Sequence, residues 1–314
     1  MLSRVADSLY WMNRYLERAE HIARVTLVRL TESIEQTPET AADDWRRVFT
    51  AVYLEAPEEA HTARDFIQAL VFDRSNPGTL INCVLAARDN ARQVREHISG
   101  EMWEQLNRQS LRLRQTKLDD VWAGEPAEFF DREINAFHLF HGIAGNTLSR
   151  VESWLFLQLG SHVERTNLIA RLIDLFMHDQ AAESAKVTAS CVSLLKMCAA
   201  FEAYCRVHTA VIRPEAVIEF LALEPDFPRS IRFAADQVAH QLSAIAPKNA
   251  EGRRSKPERL AGRLTALLDY AELDDVTGEK LHEFMDHVQA LCFAVHEQVY
   301  ANYIDYPVDT AWAE

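Results

Sequence analysis

From the N-terminus, the apolar residues Leu2, Val5, Leu9, Met12, Leu16, Ala19, Ala23 and Leu30 recur at intervals of three and four, with Thr26 as the polar interruption. Such spacing gathers them into one seam and predicts a packed helix over residues 3–35, ending before Pro38 because the residue preceding a proline is pushed out of the α region. A second long stretch, residues 149–178, is apolar nearly all round, from Trp154 and Phe156 through Leu172 to Phe176. That predicts a buried helix.

Proline in a first helical turn announces further elements. Pro57 precedes a helix predicted over 58–71, Pro77 one over 80–98, and Pro126 one over 128–140. Others are predicted at 185–208, 214–223, 228–245, 257–270 and 277–300. No run of alternating residues supports a strand. The expected fold class is all-α: a single bundle-like body of about ten to twelve helices spanning residues 1–314, with a mobile loop at 246–256 and a C-terminal tail at 303–314.

Composition agrees with long helices, since only 9 Gly and 10 Pro occur in 314 residues and turn chemistry is scarce. The formal charge of -14 opposes nucleic acid and anionic membrane surfaces. Five cysteines, an odd number, argue against a disulfide framework. Cys191, Cys198 and Cys205 recur every seven residues, which places them about 10 Å apart along one helix, as small core residues of a reduced protein. The first residues lack a signal peptide's basic start and apolar core, and no stretch of 18 residues is apolar and uncharged. A cytoplasmic location, with neither membrane nor nucleic acid as partner, is the expectation.

The two long helices echo each other. Glu17-Arg18-Ala19-Glu20-His21-Ile22-Ala23-Arg24 matches Glu164-Arg165-Thr166-Asn167-Leu168-Ile169-Ala170-Arg171 at five of eight positions. Arg14, Glu17, His21 and Arg24 share one helical face, and Ser161, Glu164, Leu168 and Arg171 occupy the equivalent one. A buried Glu or Arg is costly unless paired, so these faces either lock two helices as an ion-pair lattice or hold a polar ligand; both readings stand. Gly160, a rare glycine inside an apolar helix, points to close approach of another backbone or of a ligand.

Two further arginine groups call for partners. Arg88, Arg92 and Arg95 share a face near Met102 and Trp103. Arg229 and Arg232 follow Pro228 at the start of a helix, against its dipole, and so need an anion such as a carboxylate. Metal readings are weak: the histidines of His282-Glu283-Phe284-Met285-Asp286-His287 are five apart rather than four, and Glu58-x-x-His61 and Glu279-x-x-His282 sit where first-turn acids are favoured anyway. No metal is expected. No phosphate loop, dinucleotide fingerprint or nucleophile elbow is present, so no cofactor is expected and no ATP chemistry by this chain alone.

The residues Leu2-Ser3-Arg4-Val5-Ala6, Tyr10-Trp11-Met12, Tyr15-Leu16-Glu17-Arg18-Ala19-Glu20, Glu101-Met102-Trp103-Glu104, Leu159-Gly160 with Glu164-Arg165, and Phe227-Pro228-Arg229-Ser230 together resemble the bacterial alpha-E family of all-helical proteins. Where that family tends to show Gly-Arg-Tyr-Leu-Glu-Arg, this chain has Asn13-Arg14 in the first copy and Gly160-Ser161-His162-Val163 in the second, so a symmetrical two-arginine site lacks one arginine. The resemblance implies association with circularly permuted ATP-grasp proteins, and with transglutaminase-like or amidase-like proteins, the partner supplying the ATP chemistry.

Three functions are consistent with these features. In the first, the chain is a helical subunit of an ATP-grasp-linked system that makes or modifies peptide or amide bonds. It binds a carboxylate-bearing peptide or the partner through Arg14, Glu17, Arg18, His21, Arg24, Glu164, Arg165 and Arg171, with Arg92, Arg95, Arg229 and Arg232 as anion holders. In the second, it is an enzyme by itself, with Glu17 or Glu164 as acid or base. In the third it is purely structural.

Overall fold

The structure is a computed structural model that describes residues 1–33, 37–177, 184–209, 211–246, 254–276 and 278–304. Fourteen α-helices, and no strand, are present among them. The two longest, α1 (Ser3–Glu32) and α8 (Glu152–Met177), form the central pair. Residues bonded across this pair lie a nearly constant distance apart in sequence, 144 for Asn13 and Leu157, 150 for Arg14 and Glu164, and 148 for Glu17 and Arg165. A constant offset means that α1 and α8 run parallel and in register.

The predicted seam of α1 is buried from Leu9 to Thr26, with Leu9, Met12, Leu16, Ala19, Ala23 and Thr26 shut off from solvent and Leu30 half-buried at its end. Gly160 brings the two backbones together. A Cβ there would stand 2.1 Å from the carbonyl oxygen of Tyr10, so no larger residue fits this crossing. At the matching place on α1, Asn13 sends its amide into the carbonyl of Leu157 at 2.9 Å.

Around this pair the remaining helices repeat one arrangement twice. The helix α4 (Leu80–Gln93) packs along α1 as α12 (Ile231–Ile245) packs along α8, and α7 (Pro126–Thr147) flanks α1 as α14 (Lys280–Val299) flanks α8. The bridges between them also match, α5 (Gly100–Gln115) joining α4 to α7 and α13 (Lys256–Asp269) joining α12 to α14. Two further helices cross over: α2 (Pro38–Ala51) reaches α8, and α9 (Ser184–Met197) reaches α1.

The joints repeat in backbone detail. After α2, Tyr53 takes a left-handed φ of 60°, with Tyr53 N–H bonding to Thr50 and Leu54 N–H to Phe49. After α9, Ala199 takes a φ of 52°, with Ala199 N–H bonding to Lys196 and Ala200 N–H to Leu195. Both are Schellman closures made without glycine. Ahead of α4 and α12, Asp73 and Glu224 share nearly one conformation (φ -66°, ψ 113° and φ -65°, ψ 115°), and the hydroxyls of the N-cap residues Thr79 and Ser230 bond back to their carbonyls at 3.0 and 2.5 Å. The chain thus folds as two similar halves about a pseudo-two-fold axis along the α1–α8 pair.

Several boundaries differ from those expected. The helices α2, which starts at Pro38 in its first turn, α5 and α6 (Leu118–Ala123) have no counterpart among the predicted elements, and they raise the helix count beyond ten to twelve. The helix after Pro57 begins only at α3 (Ala63–Ile67), because Thr62 and Asp65 form a capping box; Glu58 and His61 therefore share no helical face. The predicted 185–208 helix breaks at Ala199 into α9 and α10 (Phe201–His208), so Cys191, Cys198 and Cys205 do not form one stripe. Pro228 lies in the turn ahead of α12, whose N-cap is Ser230. The remaining α-helix, α11 (Pro214–Leu223), starts at its proline as expected.

Most of the expected loop at 246–256 and tail at 303–314, namely residues 247–253 and 305–314, lie outside the described residues. The described start of the tail continues α14 as a π-helical turn, Tyr300–Ile304. No single helix among the described residues is long and apolar enough to cross a membrane.

Candidate functional site

The parallel register of α1 and α8 brings the two Glu-Arg motifs face to face, and they exchange partners. Arg165 of α8 grips Glu17 of α1 with both ends of its guanidinium, Nε to Oε1 and Nη2 to Oε2, each at 2.7 Å. In return, Arg18 of α1 donates Nε to Glu164 Oε1 at 2.7 Å. The residue three positions before each glutamate completes the other copy: Arg14 Nε reaches Glu164 Oε2 at 2.7 Å, and the Ser161 hydroxyl reaches Glu17 Oε2 at 2.8 Å. Glu17 and Glu164 are almost fully buried, 2% and 1% exposed.

Ser161 stands where the repeat lacks an arginine, and the fold supplies one from elsewhere. Arg229, in the turn before α12, places Nη1 3.9 Å from Glu17 Oε1, so each glutamate faces two guanidiniums. Burial alone would raise these carboxyl pKa values; Arg165 and then Arg229 outweigh it and hold Glu17 at about 2, while Arg14 and Arg18 lower Glu164.

The lattice extends in two directions. On one side, Tyr10 Oη and Arg14 Nη1 both approach Nδ1 of His296 on α14 at 2.9 Å. Only a neutral ring carrying its proton on Nε2 can accept from both, in keeping with a pKa pushed down to about 4 by burial and by Arg14. Arg14 also lies over Trp11, 4.6 Å from the ring centroid, while Trp11 donates to Tyr300 and Tyr300 to Asp7, both at 2.7 Å.

On the other side, Glu20 of α1 takes Arg24 at 2.9 Å, Arg229, and His138 of α7 at 3.4 Å. Burial would raise the carboxyl, but Arg229 and its neighbours hold Glu20 well below the usual range. Three buried nitrogens in this corner, His21 Nε2, Arg24 Nε and His141 Nε2, have no hydrogen-bond partner among the described residues. Burial and then Arg229 depress His21 to about 4.

Not all the expected site residues converge. Arg171 turns to the Thr50 carbonyl at 3.4 Å and lies over the Tyr53 ring. Arg92 is exposed, and Arg95 and Arg88 lie over Trp103, with centroid distances of 4.9 and 5.2 Å. Neither Arg92 nor Arg95 belongs to the lattice. Arg229 and Arg232 find their anions within the chain, in Glu20 and in Asp269, the latter at 2.7 Å. Ser161, placed on the motif face by its spacing, joins the lattice, as do Glu20, His138, His141, Tyr10 and His296, which were not among the expected site residues. Glu20 had one signal, as a position where the two motif copies differ.

Two side-chain groups have metal-ligand spacing. Glu17, Glu20 and His141 bring their ligand atoms within 4.8 Å, but Arg24, Arg165 and Arg229 already hold these carboxylates and oppose a cation. Asp174, His282 and Asp286 clip α8 to α14, with His282 Nδ1 2.6 Å from Asp174 and Nε2 3.4 Å from Asp286. A surface groove of about 440 Å³, lined by Arg112, Phe129 and Arg132, lies outside the lattice.

Residues 1–304 match the Alpha-E family, described as a predicted alpha-helical domain with a conserved ER motif. The chain belongs to the Alpha-E family. In this Alpha-E chain, Glu-Arg pairs stand at the centre of both long helices, where each supplies the ion pair of the other. Similar proteins include the uncharacterized proteins Mb2597 of Mycobacterium bovis, MT2643 of Mycobacterium tuberculosis strain CDC 1551 and Rv2567 of strain H37Rv, each 24% identical, with 88% of this chain and 34% of the relative covered. The Alpha-E chain thus spans about a third of the length of these curated relatives. No solved structure matches it.

Proposed function

We propose that this Alpha-E chain is the helical partner subunit of an ATP-grasp-linked system that forms or modifies peptide or amide bonds, in which its Glu-Arg lattice is a frame rather than a reaction centre. The partner, a circularly permuted ATP-grasp protein, supplies the ATP chemistry. A transglutaminase-like or amidase-like protein is a second candidate partner. The observation that carries the frame role is the saturation of the lattice: all four carboxylate oxygens of Glu17 and Glu164 are engaged by the chain's own guanidiniums and hydroxyl. A carboxylate held at about 2 is a weak general base at neutral pH, which disfavours a stand-alone enzyme built on Glu17. Relatives about three times as long support a domain that works beside others.

The test is co-expression with a circularly permuted ATP-grasp protein of the same organism. Co-purification is expected, with amide-forming activity in the pair and in neither protein alone. In Glu164→Gln, the melting temperature should fall while association per folded molecule stays intact. No association of the two purified proteins by gel filtration would overturn the partner role. Loss of association at unchanged stability would overturn the frame role.

A further inference from the structure

The pseudo-two-fold relation between the halves allows each corner of the lattice to be compared with its counterpart. Around α8, the residues matching Glu20, His21 and Arg24 are Asn167, Leu168 and Arg171. That corner is closed by Tyr53, which follows α2: its hydroxyl reaches Asn167 Oδ1 at 3.1 Å and Gln289 Oε1 at 2.9 Å, and Arg171 lies over its ring, 5.3 Å from the centroid. Leu54, the next residue, packs onto Gly78, where a Cβ would stand 2.6 Å from Leu54 Cδ2.

Around α1, the equivalent joint follows α9, and there Ala199 stands in place of Tyr53 and Ala200 in place of Leu54. The second exchange has a visible counterpart. Arg229 occupies the position of Gly78, and its long side chain runs in to Glu20 and Glu17 where the other half is filled by leucine. The first exchange is met only in part. Arg24 Nη2 bridges Glu20 Oε1 at 2.9 Å and His138 Nε2 at 3.2 Å, but nothing on α9 replaces the phenol ring, Ala199 is partly open to solvent, and this is the corner in which Arg24 Nε, His21 Nε2 and His141 Nε2 are left without partners among the described residues. His21 is only 3% exposed, so an unpartnered ring nitrogen there is costly.

Charge points the same way. In this corner Glu17 and Glu20 face Arg24, Arg165 and Arg229, leaving one positive charge in excess within a chain of net charge -14. A cation is opposed there and an anion favoured. We propose that the corner between Ala199, Arg24, His21 and His141 binds a small oxyanion, a carboxylate or phosphate group, in the space that the Tyr53 side chain closes in the other half. Its oxygens would accept from Arg24 Nε and from the histidine Nε2–H groups, with His138, 54% exposed in its side chain, at the rim. This site belongs to the isolated chain and does not depend on a partner protein.

The experiment measures the melting temperature of the purified chain in inorganic phosphate, in acetate and in chloride at matched ionic strength. Phosphate or acetate should raise it by at least about 2 °C at saturating concentration. A rise with only one of them identifies which oxyanion the corner takes. Ala199→Tyr restores the residue of the other half at a left-handed position that already tolerates tyrosine at 53; this variant should fold and lose the anion response. Tyr53→Phe, in the opposite corner, should keep it. No rise with either anion, or an equal rise in the folded Ala199→Tyr variant, would overturn the proposal.

Discussion

At Glu164 two guanidiniums share one buried carboxylate, and its removal leaves both Arg14 and Arg18 without a counter-charge. Glu164→Gln should therefore cost roughly 3 to 5 kcal/mol of unfolding free energy, read from denaturant titration with an unchanged m-value. Glu17→Gln should cost less than Glu164→Gln, because Arg229 and Arg165 retain Glu20 and the Pro228 carbonyl as acceptors. The side chains also set a pH dependence. His21 and His296 are depressed to about 4 and His162 to about 3, burial being the first cause in each. A depressed pKa means that the unfolded chain binds the proton more tightly, so stability is complete above about 6.5 and falls as the pH drops through these values. Unfolding at pH 5 should take up about two to three protons, detectable as a falling melting temperature between pH 7 and pH 5. A flat profile would contradict neutral buried rings. Glu17 adds a later loss, between about 4.5 and 2, as its carboxylate protonates.

For the helix pair, the decisive position is Gly160. Gly160→Ala puts a methyl group against the Tyr10 carbonyl, a backbone atom that can move only if α1 and α8 separate. Separation would stretch the 2.7 Å ion pairs as well as the apolar seam, so the loss should reach about 3 kcal/mol or more, at the upper end for overpacking. Asn13→Ala removes only one bond to Leu157 and should cost about 1 kcal/mol. Chemical denaturation of both variants tests this ordering. Much of α1 was legible beforehand, since its three-and-four spacing follows directly from the helical repeat. The break between α9 and α10 was not. The run from Leu194 to Phe201 contains neither glycine nor proline, and a left-handed alanine costs about 1–2 kcal/mol that only the packing of both flanking helices offsets.

Across the whole molecule, the two halves meet along α1 and α8, and each half's glutamate is neutralised by the other half's arginine. Neither half can keep its central charges paired without the other. Unfolding should therefore be a single transition, with near- and far-ultraviolet circular dichroism coinciding; two separated transitions would show that the halves are stable alone. Because the lattice is buried, its contribution should persist in high salt, unlike that of exposed pairs such as Arg46 with Asp43. The echo of Glu17 to Arg24 in Glu164 to Arg171 was the visible trace of the repeated architecture. The other matching joints, at Tyr53 and Ala199 or Thr79 and Ser230, share backbone geometry with too little sequence identity to be read in advance.

Periodicity, proline placement and charge by themselves determined that the chain is helical, that two long helices carry matching charged faces into an apolar interior, and that Arg229 and Arg232 require anions. These are local properties, set within a few turns of helix. Only the tertiary structure decided which partners meet: that the motifs lie parallel and exchange ion pairs, that Arg229 replaces the arginine missing at Ser161 from across 68 residues of sequence, and that Arg92 and Arg95 stand apart. Pairing depends on helix register and on the close contact at Gly160, and no local pattern fixes the register of two helices nearly 150 residues apart.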